Sequence, residues 1–322
     1  MKMRSSGCLL LTALLIASAA SAAENVAAGI RLVTGKTIAG TQPDGNSVVI
    51  DAPDGLIVFD TGRHSEHTQR VLELAMASGK PIKAVINSHW HLDHVGGNVL
   101  VRRAYPQVEV YATSAIDSAL TGFLAGYRKQ LQSSLAKAEG DPTVSANLTA
   151  EIALIDAGDQ LKPTRVVSRS STVTIAGRPL ELNVEHAAVT AGDIWVFDPK
   201  TKVLIAGDLV TLPAPFLDTA CPERWQAALR TVSAKRFAVL IPGHGAPMNR
   251  AAFDTYRLAF DRLIACAENP QHPKRDCTDG WLKDSATLVP PEDRAYSRAL
   301  VDYYVDNIFR GDPSQRLAAC RS

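Results

Sequence analysis

The chain has no basic tract, no excess of either charge and, past its first two dozen residues, no long apolar run. Each absence removes a class of function. Its 34 Lys and Arg stand against 33 Asp and Glu, a net charge of +1, so the positive patch that would seat a nucleic acid is missing and no nucleic-acid partner is expected. No later segment is apolar for long enough to cross a bilayer, so no stable membrane anchor is expected there. Linkers, low-complexity tracts and internal repeats are also missing, and residues 23–322 read as one domain.

At the start of the chain, Lys2 and Arg4 precede an almost wholly apolar run at 9–20, and small residues follow at Ala20, Ser21 and Ala22. This is the pattern of a secretory signal peptide over 1–22, and it predicts a periplasmic or secreted protein. The run is shorter than the roughly 20 residues of a spanning helix. Cys8 lies too early to be a lipidated N-terminal cysteine. Cleavage would remove two cations and no acid, taking the formal charge from +1 to −1. Four cysteines would remain, enough for two disulfides in an oxidising compartment. Cys266 and Cys277 bracket a loop containing Pro270 and Pro273 and are the favoured pair, leaving Cys221 for Cys320; four buried free thiols are the alternative.

Apolar runs at 47–51 and 56–60, separated by Pro53, Asp54 and Gly55, predict paired antiparallel strands. Helical spacing over 65–78 is stopped by Gly79 and Pro81, and a buried strand at 82–87 leads directly into a group of histidines. A short helix at 99–105 and a strand at 108–112 follow. Over 114–155, Leu120, Leu124, Tyr127, Leu131 and Leu135 share one helical face. Strands are predicted at 165–167, 173–175, 180–184, 194–197 and 203–206, with Asp198, Pro199, Lys200 and Thr201 turning between the last two. Helices dominate from Glu223 onward, apart from a strand at 238–241.

The segment Asn87-Ser88-His89-Trp90-His91-Leu92-Asp93-His94 sits between that buried strand and the pair Gly96-Gly97. Three imidazoles and a carboxylate within six residues each need a partner if buried, and Zn2+ accepts this nitrogen and oxygen set. Elsewhere the bland reading holds. His64 and His67 read as solvated or helix-capping groups, His272 as exposed, and Trp90 as either packing beneath the ligands or lining a pocket.

His-x-His-x-Asp-His after an apolar strand resembles the metallo-β-lactamase superfamily. Three other segments resemble family turns in the family's order: Asp60-Thr61-Gly62 behind the metals, Gly207-Asp208-Leu209 at the bridging aspartate, and Pro242-Gly243-His244-Gly245 at the late histidine. Together they span about 26–250. The resemblance implies an α/β fold, a four-layer αββα sandwich with a helical insertion at 114–155 after the metal cassette and a helical extension over 251–322. It also implies two Zn2+ per chain, with His89 and His91 on the first, Asp93, His94 and His244 on the second, and Asp208 bridging. Asp93 and Asp208 would handle protons in a hydrolysis driven by metal-activated hydroxide.

One departure stands out. Where the family places the first metal's third histidine, the best-matching segment, Ala188-Val189-Thr190-Ala191-Gly192-Asp193, has Val189. Two readings follow: a shifted loop that lets His186 reach the metal, or a first metal held by His89, His91 and Asp208 alone.

The superfamily spans β-lactamases, thioesterases, lactonases, arylsulfatases, phosphodiesterases and nucleases, so fold does not fix the substrate. Asp208 in a Gly-Asp-Leu turn resembles the glyoxalase II-like thioesterase and lactonase branches more than the β-lactamases. The expected activity is therefore hydrolysis of an ester-like, lactone or amide bond in a small-molecule substrate. A β-lactamase is the rival enzyme, and a non-catalytic metal or ligand binder the rival of another class. The helical stretch 114–155 is the natural lid.

Overall fold

Strands β3 (Ser47–Ala52) and β4 (Gly55–Phe59) form the expected antiparallel hairpin, in a computed structural model that describes residues 23–36, 41–138 and 140–321. The expected signal segment 1–22 lies outside the described residues. A first hairpin, β1 (Glu24–Ala27) and β2 (Ile30–Val33), extends the sheet; its four-residue strands are too short for a period to show in the sequence. On the other side β5 (Ile82–Ile86), β6 (Glu109–Ala112) and β7 (Arg165–Val166) add in parallel. β4 is buried along its whole length and β5 at every position but Lys83, as strands covered on both faces must be.

Helices α1 (Ser65–Ser78) and α3 (Asn98–Ala104) lie on the outer face, where Val71, Ala75 and Val101 pack against Val49, Val58 and Val85. A second sheet has the order β12 (Val239–Pro242), β11 (Val203–Gly207), β10 (Asp193–Asp198), β9 (Arg178–Glu185), β8 (Ser171–Ile175). The inner faces meet in one core, Ile30, Val48, Ile50, Ile57 and Ile86 against Leu180, Leu182, Ile194, Val196 and Ile205. The outer face of the second sheet carries α7 (Pro222–Ala234), α8 (Arg250–Glu268), α9 (Lys274–Asp284) and α10 (Arg294–Tyr304), packed around Trp225, Tyr256, Phe260 and Trp281. The layers are therefore α, β, β, α, with a helical C-terminal region that ends in α11 (Ser314–Arg321).

The cassette contributes a one-turn helix, α2 (Leu92–Val95). The stretch 114–155 is three helices rather than one: α4 (Ala115–Thr121), α5 (Phe123–Lys137) and α6 (Pro142–Asp156). Gly122 separates the first two. Before the third, Asp141 accepts the amide protons of Thr143 and Val144 while Pro142 takes the first helical position, a strong start signal that the apolar stripe conceals. Leu124, Leu131 and Ile155 from these helices bury against Trp90, Leu92 and Val95 of the cassette. Disulfides join Cys221 to Cys320 and Cys266 to Cys277, the expected pairing.

Candidate metal centre

The C-terminal ends of β4, β5, β11 and β12 converge at one edge of the two sheets and deliver, in turn, Asp60, the cassette, Asp208 and His244. Gly207 has φ +54°, and a Cβ there would lie 2.5 Å from that of Ser88; at Gly243 a Cβ would lie 1.9 Å from Asp208 Oδ1. Only glycine lets the strand ends approach this closely. Asn46, which the sequence did not single out, donates from Nδ2 to Pro242 O and Gly245 O, each at 2.9 Å, and fixes the loop that carries His244.

Asp93, His94, Asp208 and His244 form the carboxylate-rich half. His244 Nε2 lies 2.9 Å from Asp93 Oδ2 and 3.6 Å from Asp208 Oδ1; His94 Nε2 lies 3.2 Å from Asp208 Oδ1 and 3.5 Å from Asp93 Oδ2. On its far side, His94 Nδ1 meets Asp60 Oδ2 at 2.8 Å, which aims Nε2 into the cluster. His94 Nε2 and Asp208 Oδ1 are buried, and neither has a hydrogen-bond partner among the described residues. Such a pair of buried, unsatisfied atoms is what a metal ion would relieve. Burial opposes charge at all four groups. Even so, the field of His94 holds Asp93 and Asp208 below the usual carboxylate range, and the two carboxylates raise His94 and His244. The cluster demands positive charge at its centre, from protons or from a divalent cation. Donors on Asp93, His94 and His244 lie within 4.8 Å of one another, as do those on His89, His94 and Asp208, so both sets could hold a metal ion.

His89 and His91 form the other half. His89 Nε2 lies 2.8 Å from His91 Nδ1. Burial pushes His91 down to about 4 and His89 well below the usual imidazole value, so both are neutral at physiological pH. Ser88 Oγ donates to Asp60 Oδ2 at 2.7 Å and so accepts at 2.9 Å from His89 Nδ1, which leaves His89 Nε2 as a bare lone pair. Asp60 therefore supports both halves of the cluster.

The expectation that His186 restores a third histidine is corrected. β9 ends at Glu185, Ala187 turns with φ +57° and bonds its amide to Ala191 O, and His186 is left exposed on the outside of that turn. Val189 is buried, and its amide donates to Asp193 Oδ2 at 3.0 Å. Asp193 also accepts from Thr190 and so braces the turn; burial raises it to about 7. A second expectation also fails. His67 is buried, not solvated, held by Ser47 Oγ at 2.8 Å and by Arg70 at 2.9 Å. His272 is exposed, as expected.

A cavity of about 610 Å³ opens over this floor. His91, Asp93, Asp208 and His244 line its base. Trp90, Phe123 and Tyr127 form one wall, and Phe216, Tyr296 and Tyr303 another. Trp90 both packs edge-on against His91 and lines the cavity. Arg63 forms a buried ion pair with Glu151 of α6, and its other amino group lies 3.5 Å from Asp93 Oδ1, so the helical insertion is tied to the carboxylate and imidazole cluster itself.

The metallo-β-lactamase superfamily model matches residues 40–244. The linear primary-alkylsulfatase of Pseudomonas sp. (strain ATCC 19151) is 27% identical over 286 residues, 80% of this chain and 52% of that protein. The (R)-specific secondary-alkylsulfatase of Pseudomonas sp. is 27% identical over 177 residues, 51% of this chain and 27% of that protein. The chain thus spans about half the length of the first and about a quarter of the second. Similar solved structures include a metallo-β-lactamase from Pontibacter korlensis (TM-score 0.53, 22% identity, 72% of this chain and 95% of that one) and the DIM-1 metallo-β-lactamase (0.53, 15%, 74% and 96%). At those identities the structures speak to fold alone. With the model covering well over half of the sequence and the site residues gathered at the sheet edge, the chain belongs to the metallo-β-lactamase superfamily, whose members are metal-dependent hydrolases.

Proposed function

We propose that this protein is an exported zinc-dependent hydrolase that cleaves an ester-like bond in a small, largely apolar molecule. The observation that carries this reading is the cavity, with its carboxylate and imidazole floor and aromatic walls drawn from four separate parts of the chain. Bound Zn2+ would supply Lewis acidity and an activated water. The residues supply the rest. Asp93 and Asp208, ionised and lining the cavity floor, would take and return a proton. Arg63 steadies Asp93 from outside the cluster. Phe123, Tyr127, Tyr296 and Leu300 offer apolar surface to the rest of the substrate and keep water from it.

Sulfate esters of alkyl alcohols are the first substrates to try, because two relatives, each 27% identical, are named alkylsulfatases. Lactones, thioesters and amides remain within the same chemistry. Export is supported by the two disulfides and by the residues at 1–22. Among the described residues no helix is long and apolar enough to cross a membrane.

The test is a substrate panel of an alkyl sulfate, an acyl-homoserine lactone, a thioester, nitrocefin and a phosphodiester. It is run on zinc-loaded protein, on chelated protein, and after zinc is restored. Turnover of an ester-class substrate that chelation abolishes and zinc restores is expected. Turnover that survives exhaustive chelation, or a zinc-loaded protein inert to the whole panel, would overturn the reading.

A further inference from the structure

His91 lies between His89 and the loop that runs from β11 to α7. Its Nε2 is 2.9 Å from Thr219 Oγ1. That hydroxyl has a single proton, and it is committed elsewhere: Thr219 Oγ1 donates to the carbonyl of Val189 at 2.9 Å, and a carbonyl can only accept. Toward His91 the hydroxyl must therefore accept, so His91 carries its proton on Nε2 and leaves Nδ1 bare. His89 has already been shown to leave Nε2 bare. Two lone pairs then face each other across 2.8 Å with no proton between them, an arrangement that repels unless a cation joins them.

We infer that Thr219, aimed by the backbone carbonyl of Val189, fixes the His91 tautomer and so presents His91 Nδ1 beside His89 Nε2 to a divalent metal ion. Val189 stands where a third histidine is expected, and its carbonyl takes part through Thr219 rather than through a side chain. The site gains orientation where it lacks a ligand. Thr219 is a positioning residue in this account, since it touches neither metal nor substrate. The inference rests on the reading of His89 and His91 as ligands and not on any particular substrate.

Two measurements test it, and the first needs neither metal nor activity. In metal-free protein labelled with 15N-histidine, the two-bond proton–nitrogen correlation of His91 reports which ring nitrogen is protonated. Nε2–H is expected in the wild type; Nδ1–H would overturn the inference. The second is competition of Zn2+ against a chromophoric chelator in Thr219→Val and Thr219→Ser. The valine variant is expected to bind the weaker of two zinc ions roughly 10–100-fold less tightly, as for loss of other groups that orient a ligand, and serine to restore it. Unchanged zinc affinities in a folded Thr219→Val would overturn the inference, as would a serine variant no better than valine. Because both readouts are independent of turnover, a failed substrate panel would leave this result standing, and the reverse.

Discussion

In one half of the candidate metal centre His89 and His91 face each other as neutral imidazoles; in the other, Asp93, His94, Asp208 and His244 set two carboxylates against two imidazoles within a few ångströms. The first half is shaped by hydrogen bonds that fix tautomers. The second is shaped by charge. Neutral nitrogens offer direction but little field, so that half depends on its supports, Ser88 and Thr219. The carboxylate half brings its own attraction for a cation and four side chains besides. Asp208 lies within reach of both halves, beside His89 of the first and His94 of the second.

The largest effect should come from removing the group they share. Asp208→Ala is expected to lower zinc content at both positions and turnover by at least about 10²–10³-fold, the scale seen when a group that stabilises developing charge is lost. Zinc per chain and kcat check this, and full zinc occupancy in that variant would break the comparison. Acid should separate the halves next. Burial holds folded His91 near 4 against 6.5 in the unfolded chain, so the unfolded state binds the extra proton between these values. Its neutral form thus stabilises the metal-free fold fully above pH 6.5, and this contribution, of the order of 3 kcal/mol, is lost as pH falls toward 4. His244 runs the other way, because its folded value is raised: its contribution is present below 6.5 and fades as pH rises through the folded value. Urea midpoints at pH 5 and 7 for His91→Gln and His244→Gln, each compared with wild type, should therefore shift with opposite dependence on pH. The same sign for both would erase the distinction.

Asp60→Asn should weaken zinc at both halves by about 10–100-fold, since its carboxylate receives His94 and, through Ser88, orients His89. Competition against a chelator reads this directly, and weakening confined to one ion would show that the support is not shared. The smallest effect belongs to His186→Ala, which should leave zinc content and turnover unchanged because the side chain points to solvent. Loss of one zinc ion would restore the third-histidine reading.

Much of this was legible in the sequence, because local chemistry and fold agree there. The strand into His89, the helix 65–78 and the turns at Asp60, Gly207 and Pro242 are each marked by residues at short separation. What was not legible depends on contacts across the chain. Thr219 meets His91 from 128 residues away, and Arg63 meets Glu151 from 88. The tyrosines of α10 reach the cavity from a helix whose sequence looks like ordinary packing. His67 misled because a helix start is normally wet; here Ser47 and Arg70 supply the partners that burial requires. His186 misled for the converse reason, since nearness in sequence to an expected ligand says nothing about which face of a turn it occupies.

Whether the two halves hold metal unequally is read from a zinc titration of chelated protein against a chromophoric competitor, in wild type and in Asp93→Ala. Two ions per wild-type chain with clearly separated affinities are expected, with loss of the tighter one in Asp93→Ala. Two ions of equal affinity, or a tighter ion that survives in Asp93→Ala, would contradict this.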